Sequence, residues 1–167
     1  MNKIDLYKAF FTSESKNYVK KFENFENGQK IQFNFYAGFF GLGWFLYRRM
    51  YNQAIIIFLS RLILSGLVIV FLRLTYINLI DPNLIQLLIT SIITFIILGL
   101  LGNYLYFLKA KRYVERYVAE INPDIMDYKV LDKARIKGGI SYNSVFIYYG
   151  LIFLLFIISM VMGFLKQ

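Results

Sequence analysis

The chain has 167 residues, of which 58% are hydrophobic and 17% charged, with a formal net charge of +9. Average soluble domains are about 45–50% apolar and about 25% charged, so too few charges remain to cover a soluble globule of this size. Cysteine and histidine are both absent, which excludes disulfides, cysteine lipid anchors, thiol nucleophiles, Cys/His zinc sites and histidine acid–base catalysis.

Residues 1–30 form a polar segment with six lysines and no apolar h-region. We therefore expect the N-terminus to stay in the cytoplasm and the first span to serve as an uncleaved anchor. Two helical pieces are predicted here. Across 16–27, Tyr18, Phe22 and Phe25 recur at i, i+4 and i+7, surrounded by Lys20, Lys21, Glu23 and Glu26. Thr12 or Ser13 is the predicted cap and Gly28 the predicted stop. The apolar face either lies on anionic membrane or packs on the protein's own polar loop. The second is the simpler expectation for a pattern only about three turns long.

Residues 31–47, IQFNFYAGFFGLGWFLY, carry no charge but are short for a span and contain Gly38, Gly41 and Gly43. Their aromatics, followed by Arg48 and Arg49, suit the headgroup boundary where Trp and Tyr concentrate. Over 31–53 we predict an aromatic interfacial or re-entrant helix, centred on 35–51 and resting on the first hairpin of spans.

Three runs are predicted to cross a bilayer. Residues 84–108 are 25 positions without a charge, and 145–165 are 21 more. Both exceed the roughly 20 residues a helix needs to cross about 30 Å of hydrocarbon. The third run, 54–74, contains Arg61. A central Arg costs about 2.5–3.5 kcal/mol, against about 4–8 kcal/mol gained from the Leu, Ile, Val and Phe around it, so insertion wins. Arg61 also sits off-centre, where its side chain can snorkel towards headgroups.

The distribution of Lys and Arg decides the topology. Three spans with a cytoplasmic N-terminus place sixteen of them inside and one outside, whereas a fourth span at 31–47 divides them at best ten against seven. The positive-inside rule selects three spans, with the C-terminus extracytoplasmic. The expected architecture is all-α: transmembrane helices at 54–74, 84–108 and 143–165, the aromatic helix, and a cytoplasmic helical hairpin over 109–142. Its first arm continues the second span through KAKRYVERYVAEI, supported by Lys111–Glu115 and Arg116–Glu120 pairs and by a stripe of Tyr106, Tyr113 and Tyr117. Asn122-Pro123 starts the second arm, Gly138-Gly139 stops it, and Ser141 or Asn143 caps the third span.

Few residues are candidates for chemistry. Asp124, Asp127 and Asp132 are the one acidic cluster; oxygen ligation of Mg²⁺ or Ca²⁺ is the sharp reading and first-turn acids on a helix dipole the plain one. We adopt the plain one and expect no metal and no cofactor. Arg61 is an intramembrane charge without an acid in any span, leaving Thr90, Ser91 or Thr94, backbone carbonyls, lipid phosphate or an acid on another subunit as partners. Asn103, beside Gly102 and one turn from Gly99, suits hydrogen bonding between closely approaching helices. The basic residues follow membrane topology, which points to anionic lipid rather than nucleic acid.

The stretch FNFYAGFFGLGWFLYRRMY (33–51) resembles the signature of a bacterial membrane-protein family, the uncharacterised domain of unknown function 2628. The matching positions are Phe33, Asn34, Gly41, Trp44, Tyr47, Arg48, Arg49, Met50 and Tyr51. The preceding KFENFENG and the later Gly102-Asn103-Tyr104 before a basic helix extend the likeness over about 18–117. Leu42 stands where the family carries Pro, and the His often found after the Gly-Asn pair is missing, so no histidine-dependent idea carries over. The resemblance implies a small bacterial inner-membrane protein and brings no established activity; the third span lies outside it.

The expected function is therefore non-enzymatic: binding of a protein partner or lipid surface in an accessory, envelope or immunity-type role. Trp44, Tyr47, Arg48, Arg49, Arg61, Asn103, Tyr113 and Tyr117 are the candidate partner or lipid contacts. The expected partners are anionic headgroups and either another membrane or cytoplasmic protein or a second copy of the chain. The alternative is an oligomeric channel or small transporter with Arg61 facing the pore. An enzyme acting on lipid through Asp124 and Asp127 is the third choice.

Overall fold

The computed structural model describes residues 3–12, 15–75, 81–120 and 128–164. Among these the chain is all-helical: α1 (Lys3–Phe11), α2 (Ser15–Glu26), α3 (Phe35–Phe40), α4 (Leu42–Tyr47), α5 (Tyr51–Leu74), α6 (Pro82–Glu120), α7 (Tyr128–Gly138) and α8 (Tyr142–Phe164). Three of them, α5, α6 and α8, are long and apolar enough to cross a membrane, as expected.

The first two form an antiparallel hairpin. Lys109 in the second half of α6 reaches the carbonyls of Arg48 and Arg49 just before α5, and Gln86 near the start of α6 meets Ser65. Gln86 Nε2 donates to both the Ser65 carbonyl and its hydroxyl, a polar clasp between two predominantly apolar runs. Such bonds hold helices together where lipid offers no hydrophobic drive. Beyond residue 108 α6 continues unbroken, as the ion-pair spacing predicts; Lys111 lies 3.9 Å from Glu115 and forms a closer 2.7 Å bridge to Glu26 of α2. Glu120 carries no described side chain, so the Arg116–Glu120 pair lies outside the described residues.

The polar helices pack on this extension. Tyr18, Phe22 and Phe25 of α2 are buried against Tyr104, Tyr106 and Phe107 of α6, so this amphipathic face packs on the protein itself. Gly28, with φ +101°, ends α2 as expected, its turn closed by Gln29 N–H to the Asn24 carbonyl. Thr12 is not the cap: its hydroxyl makes no hydrogen bond among the described residues, and Ser13 lies outside them.

Two expectations are corrected. The 109–142 segment does not fold as a simple hairpin, because α1 lies between its arms. Phe10 of α1 packs against the rings of Tyr106 and Tyr113 of α6, while a Cβ on Gly138 of α7 would fall 2.3 Å from the Phe10 carbonyl oxygen. The apolar side chains Leu6, Phe10 and Phe11 are fully buried there and supply a core that α7 lacks by itself, since Val130 and Ala134 are its buried apolar side chains among the described residues. The start of the second arm, with Asn122-Pro123, Asp124 and Asp127, lies outside the described residues.

The aromatic segment is also two helices rather than one. Gly41, at φ +50° and ψ −124°, takes a backbone conformation that L side chains rarely adopt and turns the chain between α3 and α4. Each is six residues long, too short to span, and α3 packs along α6. From α4 the chain passes into α5. Ser141 then begins α8: its hydroxyl accepts from Ser144 N–H, and its own N–H donates to the Tyr47 carbonyl at 2.8 Å. The start of α8 is therefore tied to the end of α4, and the predicted Ser141 cap forms. From Gly150 to Phe164 every residue of α8 is exposed.

Candidate functional site

The most ordered polar chemistry lies where α3 and α4 dock on α6. Asn34 caps α3, its side-chain oxygen accepting from Ala37 N–H at 3.0 Å. Its amide nitrogen donates to Asn103 Oδ1 at 2.7 Å, and Asn103 Nδ2 donates to the Gln32 carbonyl at 3.2 Å. Asn34 N–H completes the joint by donating to the Gly99 carbonyl at 2.7 Å. Asn103 thus does bond between helices, and its partner is a residue that sequence reasoning quoted only as part of a motif. The signal was present: an Asn within an uncharged aromatic run, just before the helix, is an N-cap pattern.

Close approach makes these bonds reachable. A Cβ on Gly102 would fall 2.4 Å from Ala37 Cβ, one on Gly99 2.4 Å from the Phe33 ring, and one on Gly38 2.7 Å from the Phe95 carbonyl oxygen. Three small residues on facing helices let the backbones meet.

The adjacent arginines diverge. Arg48 is only 2% exposed and lies among aromatic faces, its guanidinium carbon 4.5 Å from the Tyr18 ring centre, 5.2 Å from Tyr106, 5.3 Å from Tyr47 and 6.0 Å from Trp44. Cation–π attraction of about 2 kcal/mol or more is expected for desolvated contacts of this kind. Arg49, at φ +53°, points the other way and donates from Nε to Ile140 O at 3.1 Å and from Nη1 to Ile136 O at 2.6 Å. It thereby caps the end of α7, where the last carbonyls have no helical partner. Tyr106 adds a bond from its hydroxyl to the Gly138 carbonyl.

Lys109 donates to the carbonyls of Arg48 and Arg49, both at 3.1 Å. Burial, with Arg49 and Lys137 nearby, pushes its ammonium down to about 8. A lysine depressed in the folded state binds fewer protons there than in the unfolded chain between that value and its ordinary one. Stability therefore rises with pH across that window. Above pH 10 the effect is opposed, because burial holds the Tyr7 hydroxyl well above its usual range and pushes Tyr113 up to about 12. We expect the melting temperature of the detergent-solubilised chain to climb from pH 8 to about pH 10 and the climb to vanish in Lys109→Met. An equal slope in both proteins would show that Lys109 is not its source.

The expected contact residues thus separate. Trp44, Arg48 and Asn103 are buried within the chain; Tyr47 and Arg49 are half-buried and hold the α7–α8 link. Tyr113 and Tyr117 pack against one another as tilted rings with centres 5.4 Å apart, Tyr113 also against Phe10. Arg61 is exposed on α5, away from the others. The hydroxyls of Thr90 and Thr94 donate to carbonyls of their own helix, those of Gln86 and Thr90. Asp132 pairs with Arg135 at 3.0 Å, and among the described residues there is no group of three His, Cys, Asp or Glu side chains placed to hold a metal.

Beside the docked helices is an open cleft of about 590 Å³, between α2, the α3–α4 pair and the first turns of α8. Its walls include Tyr18, Trp44, Tyr142 and Tyr149, with Lys21 and Arg48 as its cations.

The sequence profile of the family described as a protein of unknown function, DUF2628, matches residues 10–112. The chain belongs to that family. The match takes in α2 to α5 and most of α6, begins and ends a few residues before the 18–117 suggested by the motifs, and stops short of α7 and α8. No curated protein and no solved structure matches the chain. Arg49, Tyr47 and Tyr106, all inside the family segment, are therefore among the residues that fasten the two helices beyond it.

Proposed function

We propose that this chain is a non-enzymatic membrane protein that acts by binding another protein, in an accessory, envelope or immunity-type role, with α8 as the helix that meets the partner. The observation that carries the reading is the isolation of α8. It is fastened at its first turns to α4, but none of its residues is buried, whereas α6 is packed by α1, α2, α3 and α5. Gly150 and Gly163 open onto empty space, leaving room for another backbone, and Ser159 lies one turn before Gly163. Trp44, Arg48 and Asn103 serve the chain's own packing, so we place the partner surface on α8 rather than on the Trp44–Arg49 segment.

We further infer the inner membrane of a bacterium, with the polar helices cytoplasmic. This is supported by the gathering of α1, α2, α7 and the basic end of α6 at one end of the hairpin.

A photo-crosslinking residue at Phe153, in native membranes, tests the partner. One protein adduct is expected, lost in Gly163→Leu while the melting temperature is unchanged, since Gly163 touches nothing within 4 Å. Adducts with lipid alone would overturn the reading. Adducts with a second copy alone would replace it by the oligomeric channel, Arg61 then turned inward.

A further inference from the structure

We propose that a second cleft, where the start of α5 meets α6 and the end of α7, holds a phosphate group, either of a phospholipid headgroup or of a soluble phosphate. The cleft has a volume of about 430 Å³. Three cations from three parts of the chain line it, Arg49 before α5, Lys109 of α6 and Lys137 of α7, and no acid is among the described residues that do. None of the three is in an ion pair among the described residues. Their hydrogen bonds leave donors over. Lys109 gives two of its three N–H groups to the Arg48 and Arg49 carbonyls, and Arg49 gives two of its five to Ile136 and Ile140. Those acceptors are carbonyls with partial charge only, so three full charges stand together without a counter-ion. Burial and the charges of Arg49 and Lys137 lower the Lys109 ammonium, the direction expected of gathered cations that no anion offsets. An arginine at φ +53° is also held against its backbone preference. The turn it makes carries Arg49 to this cleft, away from the aromatic rings that take Arg48.

A phosphate fits this set better than a halide or a carboxylate. Its oxygens accept from several directions at once, as donors on three segments require. Arginine binds them through paired N–H groups and lysine as a point charge. The side-chain amides of Asn52 and Gln53 add neutral donors on the α5 side. Depth points the same way. Lys109 directly follows the uncharged run 84–108, and Ala54, next after Gln53, opens the apolar run of α5. With α5 and α6 across a bilayer, the cleft lies at headgroup level, within reach of a lipid phosphate and of a soluble one. The site does not involve the exposed length of α8, so it and the partner reading can fail separately.

The melting temperature of the full chain in a non-ionic detergent tests the site. One series titrates inorganic phosphate against sodium chloride at constant ionic strength; the other titrates phosphatidylglycerol against phosphatidylcholine. A saturable rise is expected. A rise with phosphatidylglycerol alone assigns the group to a lipid, one with inorganic phosphate alone to a soluble ligand, and a rise in both to a site open to either. Lys137→Gln should raise the half-saturating concentration about fivefold, the factor expected for one basic residue at an anionic headgroup. Lys133→Gln, also exposed on α7 but outside the cleft, should leave it unchanged. Lys137→Glu places a fixed anion at the mouth of the cleft and should lose the response while still melting cooperatively. No rise beyond the chloride and phosphatidylcholine controls, equal effects of the two Lys→Gln variants, or a full response in Lys137→Glu would each overturn the proposal.

Discussion

Replacing Gly102 by Leu should unseat α3 from α6. The new Cβ would lie 2.4 Å from Ala37 Cβ and 3.6 Å from Asn34 Cβ and Trp44 Cζ3, so the side chain has nowhere to go unless α3 lifts. Ala37 cannot rotate away, because its Cβ is fixed to the backbone of a helix pinned by the Asn34 cap. Overpacking of this kind costs about 1–3 kcal/mol, and a clash with a fixed atom belongs at the upper end. Thermal unfolding of the full chain in detergent should show a large fall, with faster proteolysis within residues 31–50. Gly66→Leu on α5 is the control, since a Cβ there meets nothing within 4 Å; a shift within about 0.5 kcal/mol is expected. Equal melting of the two variants would mean that α3 does not sit on this face of α6.

The Asn34–Asn103 bond should be the next most sensitive feature. Asn103 is 1% exposed, and Asn103→Leu would leave the Asn34 amide donor and the Gln32 carbonyl without their 2.7 Å and 3.2 Å partners. Each buried group left unsatisfied costs about 1–3 kcal/mol. Because Asn34 also caps α3, Asn34→Ala should lose a further cap contribution of about 1 kcal/mol. The two substitutions share one bond, so the double variant should melt well above the sum of the single losses. Strict additivity in that cycle would show that the two amides act independently.

How much of this was legible depended on whether the deciding energy lies in one segment or between two. The long continuation of α6 followed from its own i,i+4 pairs, and Ser141 was readable as a cap because cap and helix are neighbours in sequence. Asn103 was readable as polar glue from its small neighbours, but its partner was not, since Asn34 is 69 positions away. Arg48 and Arg49 looked like one basic pair at a membrane boundary. Only the positive φ at Arg49 and the placement of Tyr18 beside α4 send one into an aromatic pocket and the other to α7. The first helical piece of the N-terminal segment, α1, had too short a pattern to reveal that it wedges between α6 and α7.

The sequence by itself determined that this is a membrane-type helical protein with three long apolar helices. Transfer energy adds up residue by residue along a run, so a 25-residue uncharged stretch declares itself without reference to anything else. The family was likewise readable from the motif of 33–51, because a motif is itself a local pattern. Tertiary structure alone decided that α3 and α4 dock through Gly99, Gly102 and Asn103, that α1 separates the arms of the polar cap, and that α8 is fastened only at its first turns. It also created the cleft of Lys21, Arg48 and Trp44. Those outcomes rest on the fit of surfaces brought together from distant parts of the chain, and shape complementarity has no periodicity along the sequence to announce it.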